Sequence, residues 1–190
     1  MLKKVQRRRN KDEDTPTLLV EAAAREFQEC GFDGTDTNRI ARRAGFAPQT
    51  FYRWFGDKMD IFIAVYQSWV GEEFDRIEQL GARGASDSEF IDVSIAHHRA
   101  YNVFRRSLRQ LTVQNPALRK ARSDSRLQQI QRVKAQNKTL DLTTAEVAIF
   151  LFEYERLCDA LADEEFLDLG VDESAVRSHL AKLYKRLRKQ

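Results

Sequence analysis

An all-α chain is what this sequence predicts, and three observations predict it. Glycine and proline are scarce, 8 and 3 in 190 residues, which leaves few helix breakers and few of the turn residues a β protein needs. Apolar residues recur at spacings of three and four along most of the chain, the period of an amphipathic helix. Each proline also stands where a helix is expected to begin: Pro16 after Thr15, Pro48 after Ala47 and Pro116 after Asn115. Proline is favoured at that first position because its missing N–H would have gone unpaired anyway.

Residues 1–14 are expected to form a basic, flexible arm. Lys3, Lys4, Arg7, Arg8, Arg9 and Lys11 occur there with no acid among the first 11 residues. Such an arm follows a phosphate backbone or enters a groove; a solubilising tail is the other reading. From Pro16 to Cys30, Leu18, Leu19, Ala22, Ala23, Glu26 and Phe27 give a helical period, with the apolar positions concentrated on one face. Gly31 ends that helix, Asp36 is placed to cap the stretch TNRIARRA, and Gly45, Phe46 and Ala47 make a short turn before PQTFYRWF. Two short helices joined by a turn holding glycine form the helix-turn-helix pattern, whose second helix lies in the DNA major groove. Ile40, Ala41 and Ala44 face inward from the first helix and Phe51 and Phe55 from the second, with Phe46 filling the gap. Gln49, Thr50, Tyr52 and Arg53 then point outward. A recognition helix of about seven residues is about 10 Å long, a match for a major groove about 12 Å wide.

The run G-F-x-x-T, I-A-x-x-A-G and T-F-Y-R-W-F-x-D-K, from Gly31 to Lys58, resembles the DNA-binding signature of tetracycline-repressor (TetR) family regulators. The resemblance implies an all-α fold with an N-terminal three-helix DNA-binding domain over residues 15–60. A long helix then links it to a helical effector-binding and dimerisation domain over residues 61–190. It also implies DNA roles for Thr35, Pro48, Gln49, Thr50, Tyr52, Arg53, Trp54 and Lys58. Gln49 is expected to read a base edge, since an amide pairs bidentately with adenine, and Pro48 to meet a thymine methyl. Thr50, Tyr52 and Lys58 match positions that usually hold phosphates, Thr35 is placed to hold another, and the Trp54 indole can donate to one. Arg39, Arg42 and Arg43 add charge whose reach to DNA is open. Two residues depart from the family pattern besides Trp54: Ala47 replaces a capping serine, losing about 1 kcal/mol, and Thr37 replaces an aliphatic residue.

Beyond the head, Asp57 can cap a helix of roughly 23 residues, about 35 Å long, carrying Phe62, Val65, Tyr66 and Trp69 on one side. Gly81 to Gly84 ends it, and Ser86 or Asp87 caps a further helix. There Phe90, Ser94, His97, Tyr101, Phe104, Leu108 and Leu111 make one continuous stripe. Asn115-Pro116 opens another helix to about Lys138. Two last helices run from Thr143 or Thr144 to about Glu165 and from Asp172 to about Arg188. Their stripes, Val147, Leu151, Tyr154, Cys158 and Leu161, and Val176, Leu180, Leu183 and Leu187, are expected to pair with a second copy in a four-helix bundle, as TetR-like proteins commonly do. Packing within one chain is the other reading of these stripes.

The resemblance further implies a small-molecule effector among these helices. Phe62, Tyr66, Trp69, Ser94, His97, Tyr101, Phe104, Phe150 and Glu153 are the candidate contacts, aromatic walls with a few polar groups. Residues 93–138 hold eleven Lys and Arg against one acid, and residues 141–173 eleven acids against one base. Glu153 would suit a cationic effector and the arginine-rich stretch an anionic one such as an acyl-CoA, so the effector's charge stays open.

Hydrophobic residues at 42% and charged ones at 32% describe a soluble globular protein. The absence of a long apolar run leads us to expect a cytoplasmic protein without a membrane segment. Cys30 and Cys158 lack metal or redox spacing and are expected to be buried thiols. Neither a metal site nor a cofactor is expected, since His97-His98 lacks the i, i+4 spacing of a helical metal pair. No GxSxG, HExxH or GxxxxGK pattern occurs, which argues against an enzyme. The expected partners are double-stranded operator DNA, a second copy of the chain and a small effector. A DNA-bound architectural protein answering to a protein partner is the rival reading, and a solvent-filled volume beneath Trp69 and His97 discriminates between them.

Overall fold

The computed structural model describes the backbone of residues 2–137 and 139–186, with side chains from residue 14 onward. Ten α-helices and no strand occur among the described residues. They are α1 (Leu2–Cys30), α2 (Thr37–Arg43), α3 (Pro48–Phe51), α4 (Lys58–Ala82), α5 (Asp87–Ala100), α6 (Asn102–Gln114), α7 (Pro116–Gln136), α8 (Thr144–Ala162), α9 (Glu165–Asp168) and α10 (Glu173–Arg186). None is long and apolar enough to cross a membrane.

Helix α1 takes in the stretch expected as a flexible arm, and Pro16 lies inside it, not at its first position as expected. The side chains of residues 1–13, and with them the arm's expected reach to DNA, lie outside the described residues, as does Leu187. Gly31 ends α1 at φ +70° and Gly45 turns the chain from α2 to α3 at φ +81°, conformations that cost a side chain with a Cβ but not glycine. Asp36 and Asp57 cap α2 and α4, accepting from the Arg39 and Asp60 amides at 2.8 Å; Ala47 gives α3 no side-chain cap.

The expected 87–114 stripe is broken. Helix α5 stops at Ala100 and α6 starts at Asn102, with Tyr101 at φ −123° between them. The free amide of Phe104 in the first turn of α6 donates to Gln28 Oε1 of α1 at 3.2 Å, and Gln28 Nε2 donates to Asn102 Oδ1 at 3.1 Å. A side chain of α1 thus supplies the cap that α6 lacks in its own sequence. Helix α7, by contrast, is unbroken through Ser123 and Asp124. The last acidic stretch splits at Glu164, whose φ of +61° separates α8 from the one-turn α9.

Two apolar cores result. The first joins α1–α4 to α6 and the start of α7, with Phe62 at its centre: its ring meets Phe27 at 4.9 Å, Phe32 at 5.2 Å and Phe104 at 4.9 Å. The second joins α5, α8 and α10 through Ile91, Ile95, Cys158, Leu161, Val176, Leu180 and Leu183. The charge segregation of the sequence closes in space between α6 or α7 and α8. Arg105 binds Asp159 at 2.5 Å and Glu155 at 2.6 Å, Arg106 and Arg109 bind Asp163, and Arg122 and Arg126 bind Glu155.

Candidate functional site

In the head, Ile40, Ala41 and Phe51 are fully buried, so α2 and α3 lock together through their inner faces. Helix α3 is four residues long, not seven. The chain continues to Trp54 as tight turns, with Arg53 N donating to Thr50 O at 3.3 Å and Trp54 N to Phe51 O at 3.0 Å. Gln49, Tyr52, Arg53 and Trp54 are exposed, Tyr52 to 59%, while Pro48 and Thr50 are half-buried. The Tyr52 hydroxyl shares a 2.9 Å hydrogen bond with the Thr37 hydroxyl. Thr37, unusual in sequence, therefore holds the ring of a surface tyrosine in place.

Thr35 and Lys58 are not disposed as expected. Thr35 is buried, and its hydroxyl donates to Glu26 Oε2 at 2.6 Å. Lys58 Nζ donates to the carbonyls of Phe32 at 2.8 Å and Thr35 at 3.0 Å and lies 4.2 Å from the Phe32 ring centre. Both residues tie the turn after α1 to α4, which leaves Lys58 one ammonium N–H for a phosphate. Glu26, buried on α1, also binds Arg43 Nε at 2.6 Å and Arg39 Nε at 3.3 Å. Arg43 reaches Glu29 as well, and its hydrogen bond holds the Glu29 carboxyl below the usual range. Arg39 and Arg43 are thus tied to carboxylates of α1, although both are exposed at the surface, as are Arg42 and Arg53. Sequence reading missed Glu26 because a lone glutamate among apolar residues gives no sign of the arginines that reach it from α2.

A cavity of about 470 Å³ opens between α4, α5, α7, α8 and the end of α10. Of the candidate effector contacts, Tyr66, Trp69, Ser94 and Phe150 line it. Phe62 and Phe104 do not, since each is fully buried in the first core. Tyr101 faces a shallow groove between α1 and α4 on the other side of α4. Glu153 lies on the outer side of α8 and meets His179 at 3.2 Å. His97 is stacked on Trp69 at 4.8 Å and bonded to Arg76 at 3.0 Å, outside the cavity lining, and burial pushes its imidazole down to about 4. Its neighbour His98 takes the lining position, between Asp159 at 2.8 Å and Glu73 at 3.6 Å. Burial works against the ionised Glu73 carboxyl, but His98 and Arg105 hold it below its ordinary range. Glu73, Glu78, Arg126 and Glu155 are lining charges that were not among the candidate contacts.

The expected dimer stripes are used inside one chain. Val147, Cys158, Leu161, Val176, Leu180 and Leu183 are buried, and Leu151 and Tyr154 line the cavity. Burial drives the Cys158 thiol up, whereas Cys30, expected to be buried, is exposed. The apolar residues that α8 leaves outward are Ile149 at 65% and Phe152 at 60% exposure. No group of three or more metal-ligating side chains occurs among the described residues.

Residues 19–65 match the family model for bacterial regulatory proteins of the tetR family. A fatty acid metabolism regulator protein of Bacillus subtilis is 29% identical over 80 residues, a match covering 42% of this chain and 41% of that protein. A TetR-family transcriptional regulator from Rhodococcus superposes with a TM-score of 0.70 at 17% identity, over 93% of this chain and 100% of that one. The regulator FadR from Bacillus subtilis, solved in complex with stearoyl-CoA, superposes with a TM-score of 0.62 at 20% identity, over 88% and 96%. The head thus matches the tetR family model, and the fold throughout is that of solved TetR-family transcriptional regulators.

Proposed function

We propose that the protein is a repressor that binds a pseudo-palindromic operator as a homodimer and is released by a small molecule held in the cavity between α4, α5, α7 and α8. One observation carries this reading. Helix α4 starts against the head, where Lys58 is bonded to the turn after α1, and ends as the cavity's longest wall, from Tyr66 to Ala82. A ligand that favours one setting of α4 therefore favours one setting of the head, which is the differential affinity an effector needs. Open volume beside Trp69 supports a sensor over an architectural protein answering only to a protein partner.

At the head, Gln49 is assigned to a base edge, with Pro48 beside it for a thymine methyl, and Thr50, Tyr52, Arg53 and Trp54 to the flanking phosphates. The second copy is assigned to the outward face of α8 and α10, around Ile149 and Phe152. Two heads so joined should read half-sites about 34 Å apart.

Selection of bound DNA from a random pool tests the reading. A symmetric site should be enriched, Gln49→Ala should weaken binding to it by about 1–3 kcal/mol while relaxing preference at one position, and a metabolite should abolish enrichment. A single unpaired half-site bound at full affinity would rule out the dimeric reader.

A further inference from the structure

The cavity is long and has chemically different ends. Along α4 it runs from Tyr66 to Ala82, about 24 Å at the helical rise, and along α7 from Arg126 to Asn137. Its inner end carries Arg126, Glu73 and Glu155. Arg126 is only 13% exposed there and gives one N–H to Glu155. That carboxylate is already shared with Arg105 and Arg122. A guanidinium has five donors, and burial, with Arg122 and Arg105 nearby, lowers the Arg126 pKa. Glu73, at the same end, has His98 as its ion-pair partner among the described residues. Further out the walls carry Phe74, Ile77, Phe90 and Val133, with Glu78, Gln136 and Asn137 toward the outer end.

We propose that this cavity takes an elongated, net-neutral amphiphile with an amide-type head at the inner end, its carbonyl accepting from Arg126 and its N–H donating to Glu73. Its apolar chain lies along Phe74, Ile77 and Val133. This rests on the reading of the cavity as an effector site and names the ligand class. A carboxylate head suits Arg126 but sets a second anion against Glu73; an ammonium head suits Glu73 but adds a cation beside Arg126 and the arginines behind it. Burial magnifies both mismatches, because like charges repel more strongly where water is excluded. An acyl-CoA with its chain along the cavity would bring several phosphate charges to the outer end, where the lining offers Glu78, Gln136 and Asn137 and no lysine or arginine.

Three probes of one chain length test the head: decanamide, decanoate and decylammonium, each below its micellar concentration, with stearoyl-CoA as a fourth. Calorimetry and thermal shift on the full protein should show decanamide binding at least tenfold more tightly than any other. Glu73→Gln should lessen that preference over decanoate, and Arg126→Gln that over decylammonium. Gly81 lines the outer end and has open space where a Cβ would stand, so Gly81→Leu should block binding while leaving the protein's own melting temperature unchanged or higher. Tightest binding of decanoate, decylammonium or stearoyl-CoA, or decanamide binding untouched by Gly81→Leu, overturns the proposal. So does failure of all four probes to bind. If another molecule still releases the selected operator, the effector reading survives and only the ligand class falls.

Discussion

Single side chains decide what this head and its wall can do. Glu26 binds Thr35, Arg39 and Arg43 from a buried position, and removing one partner of a buried ion pair typically costs 3–5 kcal/mol. Glu26→Ala should therefore lower stability by about 3 kcal/mol in urea unfolding, whereas removal of the exposed Arg42 should cost nothing measurable. Thr37→Val removes the hydroxyl that fixes Tyr52. It should weaken operator binding by about 1 kcal/mol, one hydrogen bond's worth, in fluorescence anisotropy without moving the unfolding midpoint. His97 is a pH reporter with a defined sign. Its neutral form is favoured in the fold, lowered from 6.5 to about 4 by burial first and by Arg76 and His98 against the opposing pull of Glu73. Protonation therefore favours unfolding: stability is full above pH 6.5 and falls as pH drops toward 4, by up to about 3 kcal/mol. His97→Gln should flatten that slope in denaturation series. Loss of the Asp159 pairing follows only at lower pH, because His98 and Arg105 outweigh its burial and hold the carboxyl far below 3.8. At this scale the sequence was readable where a residue's exposure depends on its local turn, as for Gln49 and Tyr52, both exposed as expected. It was not readable for Thr35, Lys58 and Glu26, whose partners lie up to 26 residues away, nor for His97 against His98, where about 100° of helical rotation decides which ring reaches the cavity.

Elements were legible as elements but not as neighbours. The three- and four-residue spacings located α4, α8 and α10 because an apolar stripe must be buried somewhere, and Asn115-Pro116 marked the start of α7. They carry no information on whether the covering surface belongs to the same chain. In the second core, α8 and α10 cover one another and α5, so Leu180→Ala should cost the isolated fold about 3 kcal/mol through the cavity it leaves. The outward face of α8 behaves differently. Ile149 and Phe152 contribute little to the fold at 65% and 60% exposure, so the paired change Ile149→Glu and Phe152→Glu should leave unfolding nearly unaltered. It should convert a dimer to monomers in sedimentation equilibrium. A double variant that remains dimeric would place the contact elsewhere, and a monomeric wild type would overturn the homodimer. The break at Tyr101 was hidden for a related reason: the stripe from Phe90 to Leu111 keeps its period across it, and the group that caps α6 comes from α1.

Across the whole molecule, the two charge blocks that seemed to offer opposite effectors mostly neutralise each other between α6, α7 and α8. Their paired side chains form one wall behind the cavity. Two structural links join that wall to the head. One is α4 itself. The other is the junction where Gln28 caps α6 and the Ser107 hydroxyl accepts from the Phe32 amide at 3.1 Å. Helix α6 also carries Arg105, which joins Asp159 and Glu155 behind the cavity, so a shift at Glu155 has a short path to α1. Coupling of this kind is typically worth 1–3 kcal/mol. Gln28→Ala deletes the side chain from the junction while leaving the DNA face and the cavity lining intact. Operator affinity without ligand should stay within about twofold, and ligand affinity without DNA likewise. The factor by which the releasing ligand weakens operator binding should fall about tenfold, since α6 no longer carries its share of the coupling. Anisotropy titrations with and without ligand read all three quantities on one preparation. An unchanged release factor would leave α4 as the sole carrier and reduce Gln28 to a helix cap.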